Sequence, residues 1–124
     1  MDPPSPTYTR VADACRAFLS SHGYDPSYGR RLPRALRGAG LLDVGVHAES
    51  RQVWADVLHG IPQWGLLVDQ LAPGLTAAGL VDETQLDEFR RLLHDGRTAC
   101  FAPLMVSCWG RRGDIRDTAR GAKA

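Results

Sequence analysis

The sequence lacks a long apolar run, a charged-then-apolar leader, a paired cysteine motif and any large excess of charge. Each absence excludes something. The longest apolar run, Ala99 to Trp109, is far too short to cross a bilayer. The opening Met1-Asp2-Pro3-Pro4 is unlike a secretory leader. Cys15, Cys100 and Cys108 form no C-x-x-C pair, which points to reduced, buried thiols in a cytoplasmic chain. Fifteen Lys and Arg stand against fourteen Asp and Glu, a net charge of +1, so the overall field favours neither nucleic acid nor a membrane surface. His22, His47, His59 and His94 fall in four different segments, none at metal-ligand spacing, so no metal site is expected. There is no G-x-S-x-G and no serine–histidine–acid grouping, so no catalytic residue is assigned.

Hydrophobic residues make up 44% and charged residues 23% of the 124, the balance of one globular domain. Ser5 followed by Pro6 reads as a helix N-cap and first turn. Tyr8, Val11, Ala12, Cys15, Phe18, Leu19 and His22 continue at helical spacing to a stop at Gly23. Residues 24–29 form a turn, and a short helix carries Leu32, Ala35, Leu36 and Ala39 to Gly40. Residues 41–49 alternate as a strand with one polar face. Arg51 to Gly60 is ambiguous, with Trp54, Val57 and Leu58 at helical spacing. Ile61 to Ala78 reads as a helix with a kink at Pro73, and Asp82 with Gln85 as a capping box opening another. The run 99–109 does not alternate, which predicts a strand buried on both faces inside a sheet. The two strands should pair antiparallel, each being the other's available partner. Arg111, Arg112, Arg116, Arg120 and Lys123 crowd the end with no aromatic after Trp109, so residues 113–124 are expected to be a disordered, solvated basic tail, and no nucleic-acid partner is assigned.

Leu41-Leu42-Asp43-Val44-Gly45 imitates the strand and turn of a nucleotide fold. The chain then continues Val46-His47-Ala48-Glu49, whose side chains would fill the space a phosphate or adenosyl group needs. Gly38 and Gly40 lie after a helix and before a strand, the reverse of the dinucleotide order. No cofactor site is expected there. Arg30 and Arg31 open a helix against its dipole, which a carboxylate such as Asp25 or a bound ligand would relieve. Trp54 and Trp64 lie between the strands, where aromatics either line a pocket or fill a core.

The segment Tyr24-Asp25-Pro26-Ser27-Tyr28-Gly29-Arg30-Arg31-Leu32-Pro33, then Leu36 to Val44, resembles the C-terminal half of bacterial class I S-adenosylmethionine-dependent methyltransferases. Phe101 to Arg112 resembles that family's last strand, and the likeness spans roughly residues 5–112. It implies an α/β fold for residues 1–112: the C-terminal half of a seven-stranded Rossmann-like sheet, two antiparallel strands with four to five helices. Residues 41–49 would be the sixth strand, 99–109 the seventh, and the helical insertion a lid over substrate. The family's cofactor-binding segments are absent, so S-adenosylmethionine is expected only if a partner supplies an N-terminal half. The chain would then be the substrate-facing half of a small-molecule methyltransferase, inactive alone, with Tyr28, Arg30, Trp54 and Trp64 lining the substrate. Its expected partners are that half or a second copy meeting an exposed strand edge. The alternative is a non-catalytic helical interaction or regulatory module derived from the same scaffold.

Overall fold

The computed structural model describes residues 1–56 and 58–113. Apart from Gly113, the expected disordered tail lies outside the described residues. Among these residues the chain is α/β, with four helices and two small antiparallel sheets. In order they are α1 (Pro6–Ser21), α2 (Tyr28–Gly38), β1 (Leu41–Glu49), β2 (Gln52–Trp54), α3 (Pro62–Ala77), α4 (Glu83–Leu93), β3 (Ala99–Phe101) and β4 (Met105–Arg112). The chain divides into two compact units. A helical unit comprises Met1–Asp25 and Arg51–Ala102, and a ribbon unit comprises Pro26–Ser50 and Pro103–Ala124.

The helical unit forms because three amphipathic helices carry matching apolar stripes. The Ser5 hydroxyl accepts the Tyr8 amide at 3.2 Å, and Pro6 supplies a preset first turn for α1. Gly23, at φ +90°, ends it in a conformation that other residues resist. In α4, Asp82 Oδ1 accepts the Gln85 amide at 2.8 Å and Gln85 Oε1 accepts the Asp82 amide at 3.0 Å, the expected capping box. Helix α3 continues past Pro73, with the Thr76 hydroxyl donating to the Ala72 carbonyl at 2.9 Å. Val11, Ile61, Val68, Leu75, Leu86 and Phe89 are the largest fully buried side chains. Each contributes roughly 1.5–3 kcal/mol by leaving water. Strand β3 lies between two neighbours. It pairs with β2 (Val53 opposite Cys100), and Asp2 bridges Ala99 through hydrogen bonds of 2.7 and 2.8 Å.

The ribbon unit is a β1–β4 antiparallel pair with α2 on one face. Glu49 stands opposite Met105, Val46 opposite Cys108 and Leu41 opposite Arg112. Between Leu42 and Gly45 the register shifts by a bulge, where Asp43 takes φ +51°. Asp43 accepts a hydrogen bond from Arg111 Nε at 3.1 Å. Gly29 of α2 abuts Val106: a Cβ there would lie 3.1 Å from Val106 Cγ2. Val106, Cys108 and Gly110 therefore lie on the helix side of the ribbon. Met105 and Trp109 lie on the other face, 65% and 56% exposed. There the Trp109 indole covers Gly45, where a Cβ would come within 2.5 Å of the ring.

Two expectations need correction, and one open reading is settled. The run 99–109 is two strands, not one: β3 pairs with β2, and β4 with β1. Pro103, which has no N–H to give a ladder, sits in the break between them. β4 is not buried on both faces. Its partner is a single strand in a two-stranded ribbon, so one face stays open. The segment before α3 is not a helix at Trp54, because Gln52–Trp54 forms β2 against β3.

Candidate functional site

The four residues assigned to a substrate wall divide between the units. Tyr28 and Arg30 belong to the ribbon unit, and Trp54 and Trp64 to the helical unit. Tyr28 opens α2 and is about half exposed, with the Arg31 guanidinium 5.9 Å from its ring centroid. Arg30 is exposed beside it. Trp54 projects from β2, 58% exposed, in register with Ala99.

Trp64 does something different. Its ring meets Tyr8 edge-on at 5.6 Å and Phe89 at 6.4 Å, and Tyr8 stacks on Phe89 at 5.7 Å. This aromatic cluster packs against the main core and includes Cys100. Burial, then the adjacent Cys100, pushes the Tyr8 phenol up to about 12. Burial likewise raises the Cys100 thiol, against smaller opposing effects of the N-terminal ammonium, Trp64 and Tyr8. Neither group ionises near neutral pH, so the cluster offers neither a thiolate nucleophile nor a phenolate base. The Trp64 Nε1–H is buried without a hydrogen-bond partner. The Cys100 sulfur beside it is only a weak acceptor.

Two segments have the layout of a ligand loop. Asp56 to Gly60 joins β2 to α3, the strand–loop–helix order of a phosphate site. The amides of Asp56, Leu58, His59 and Gly60 are already engaged. Leu58 and His59 both donate to Asp56 Oδ1 at 2.8 Å, and Asp56 and Gly60 exchange backbone hydrogen bonds. These amides, with the His59 ring, hold the Asp56 carboxyl below its ordinary range. A fixed carboxylate at the centre of the loop repels a phosphate. A Cβ on Gly60 would meet the His94 ring at 3.0 Å, so this glycine is closely packed by protein rather than open to a ligand.

The second segment is Gly38 to Gly45. Trp109 covers Gly45, and β1 runs on through Val46 to Glu49 instead of turning into a helix. The residues present here do not fit an adenosyl or phosphate group. Among the described residues no group of three His, Cys, Asp or Glu side chains could hold a metal ion, and no helix is long and apolar enough to cross a membrane. A hollow of about 620 Å³ beside the start of α1 is lined by Pro4, Ser5, Pro6, Thr9, Arg10 and Asp13, none of them an assigned wall residue.

One surface was not assigned from the sequence. Arg30, Arg31, Arg34 and Arg37 all lie on α2 and are all exposed, and the helix itself carries no acidic residue. The chain matches no protein-family profile, no curated protein and no solved structure.

Proposed function

We infer that this chain is the substrate-facing C-terminal half of a small-molecule S-adenosylmethionine-dependent methyltransferase, catalytically silent by itself. The observation that carries the reading is the antiparallel pairing of β1 with β4 across a long, mostly helical insertion, with α2 leading into β1. That is the order the resemblance implies for the last two strands of the family's sheet. The ribbon also has the character of an unfinished sheet: two strands, one face open, and Trp109, Met105 and Leu104 exposed. The cofactor and the methyl-accepting chemistry would belong to a partner half, and no step is assigned to residues of this chain.

One observation favours the alternative, a helical interaction module. The helical unit has a closed core of its own and needs no second half to complete it.

The two readings separate in one experiment. The chain alone is titrated with S-adenosylmethionine by calorimetry, then again after co-purification with the product of any adjacent reading frame encoding a glycine-rich strand–turn–helix. The methyltransferase reading expects no heat from the chain alone, and micromolar cofactor binding with methyl transfer from the pair. A pair that forms without binding cofactor, or an adjacent region encoding no such segment, leaves the interaction module as the reading.

A further inference from the structure

We propose that the solvent face of α2 is a binding surface for the phosphate backbone of a nucleic acid. The inference is independent of the methyltransferase reading. It starts from charge. The net +1 of the whole sequence conceals two opposite halves. The described part of the ribbon unit carries six arginines against Asp43 and Glu49, a net of +4. The helical unit carries six arginines against ten carboxylates, a net of −4.

Geometry concentrates the positive charge. At about 100° per residue, Arg30, Arg34 and Arg37 fall within about 60° of one another on α2. They are spaced by about 6 and 4.5 Å along its axis. The opposite side, Gly29, Leu32 and Leu36, faces the ribbon, as the contact of Gly29 with Val106 requires. Arg112 extends the stripe. It alternates with Val106, Cys108 and Gly110 on the helix side of β4 and stands opposite Leu41, just past the end of α2.

The chemistry selects among anionic partners. An amphipathic helix binds a bilayer by burying its apolar face, and here that face is packed on the ribbon. Every cation in the described residues other than the N-terminus and histidine is an arginine, whose planar fork donates two parallel hydrogen bonds to a phosphate.

The test uses the full chain and fluorescein-labelled 15-mers of oligo(U) and oligo(dT), read by anisotropy across a salt series. With four arginine–phosphate contacts, log affinity should fall with log salt at a slope of about −3. Arg30→Gln/Arg34→Gln/Arg37→Gln should weaken binding at least tenfold and flatten the slope. Arg34→Gln alone should reduce the slope by about 0.7, so the test survives if the triple variant folds poorly. Tyr28→Ala, on the side of α2 away from the stripe, and Arg10→Gln, in the helical unit, should change nothing. Binding only to vesicles of phosphatidylserine and phosphatidylcholine overturns the nucleic-acid assignment in favour of a membrane. No binding to either oligonucleotide, or binding indifferent to the α2 substitutions, overturns it altogether.

Discussion

The helical unit and the ribbon unit are cut from the same chain in alternating pieces, yet they differ in nearly everything that physical chemistry measures. All the fully buried side chains of the described residues lie in the helical unit. The ribbon unit has none: α2, β1 and β4 contain no buried residue. The first is acidic and closed, the second basic and open. A closed core supports itself. An open ribbon has little core of its own, and a two-stranded sheet with one covering helix is marginal in water.

The comparison can be broken most directly in the core. Phe89→Ala should cost about 3–5 kcal/mol, read as a shift of the urea midpoint, because it empties the centre of the helical unit and removes a ring that both Tyr8 and Trp64 contact. Trp109→Ala, which removes an exposed ring from the ribbon, should change stability by less than about 1 kcal/mol. Hydrogen exchange sharpens the point. Amides of α3 and α4 should exchange through global opening, and those of β1 and β4 much faster through local opening. Equal protection in both would show one cooperative unit.

A matched pair of glycines gives the next largest effect. A Cβ on Gly74 would lie 2.4 Å from Phe18 Cζ, and one on Gly45 2.5 Å from the Trp109 ring. The clashes are alike but their surroundings are not. Phe18 packs against the core, so Gly74→Ala should destabilise by about 1–3 kcal/mol, reduced by up to about 1 kcal/mol of gained helix propensity. Trp109 is free to swing into solvent, so Gly45→Ala should cost less and appear chiefly as a change in tryptophan fluorescence. Ser5→Ala should cost about 1 kcal/mol in a thermal melt by removing the α1 cap.

The smallest effect is in acid. Hydrogen bonds from the His59 and Leu58 amides hold the Asp56 carboxyl below its ordinary 3.8, and Arg97 does the same for Asp95. A lowered folded value contributes stability that is present above the unfolded value and lost as pH falls through the folded one. Both carboxylates are in the helical unit, so its loops should loosen below about pH 4. The amide shifts of Leu58, His59 and Arg97 should titrate there, and Asp56→Asn should abolish the change at the first two.

Much of the helical unit was legible in sequence, because its signals are local. Ser5-Pro6, Asp82 with Gln85 and the stop at Gly23 each fix a helix end within a few residues. The ribbon was legible only as two strands that should meet. Its open face was not, since an apolar run such as Met105 to Trp109 looks the same whether or not it is covered. Pro103 was the signal that the long run is two strands, and β2 was hidden by three residues whose spacing also suits a helix. Trp64, which the sequence left open between pocket and core, is partly buried and packs against the core cluster. Trp54, Tyr28 and Arg30 are exposed, as wall or surface residues would be. The arginine stripe was missed because charge was summed over the whole chain. Arg30, Arg34 and Arg37 stand at helical spacing within one short segment; only Arg112 is brought to them by the pairing of Leu41 with Arg112.

The bulge at Asp43 gives the ribbon a preferred side. On β1 the extra residue interrupts the ladder, and Asp43, His47 and Glu49 place ionisable groups along the strand. On β4 the stretch Met105 to Gly110 is regular and uncharged. Any chain that adds to this sheet, whether a wanted partner or a copy in an overcrowded cell, therefore docks more readily on the β4 flank. A lysine placed at Ser107 would make that flank as inhospitable as the other and should raise the concentration at which the protein stays in solution.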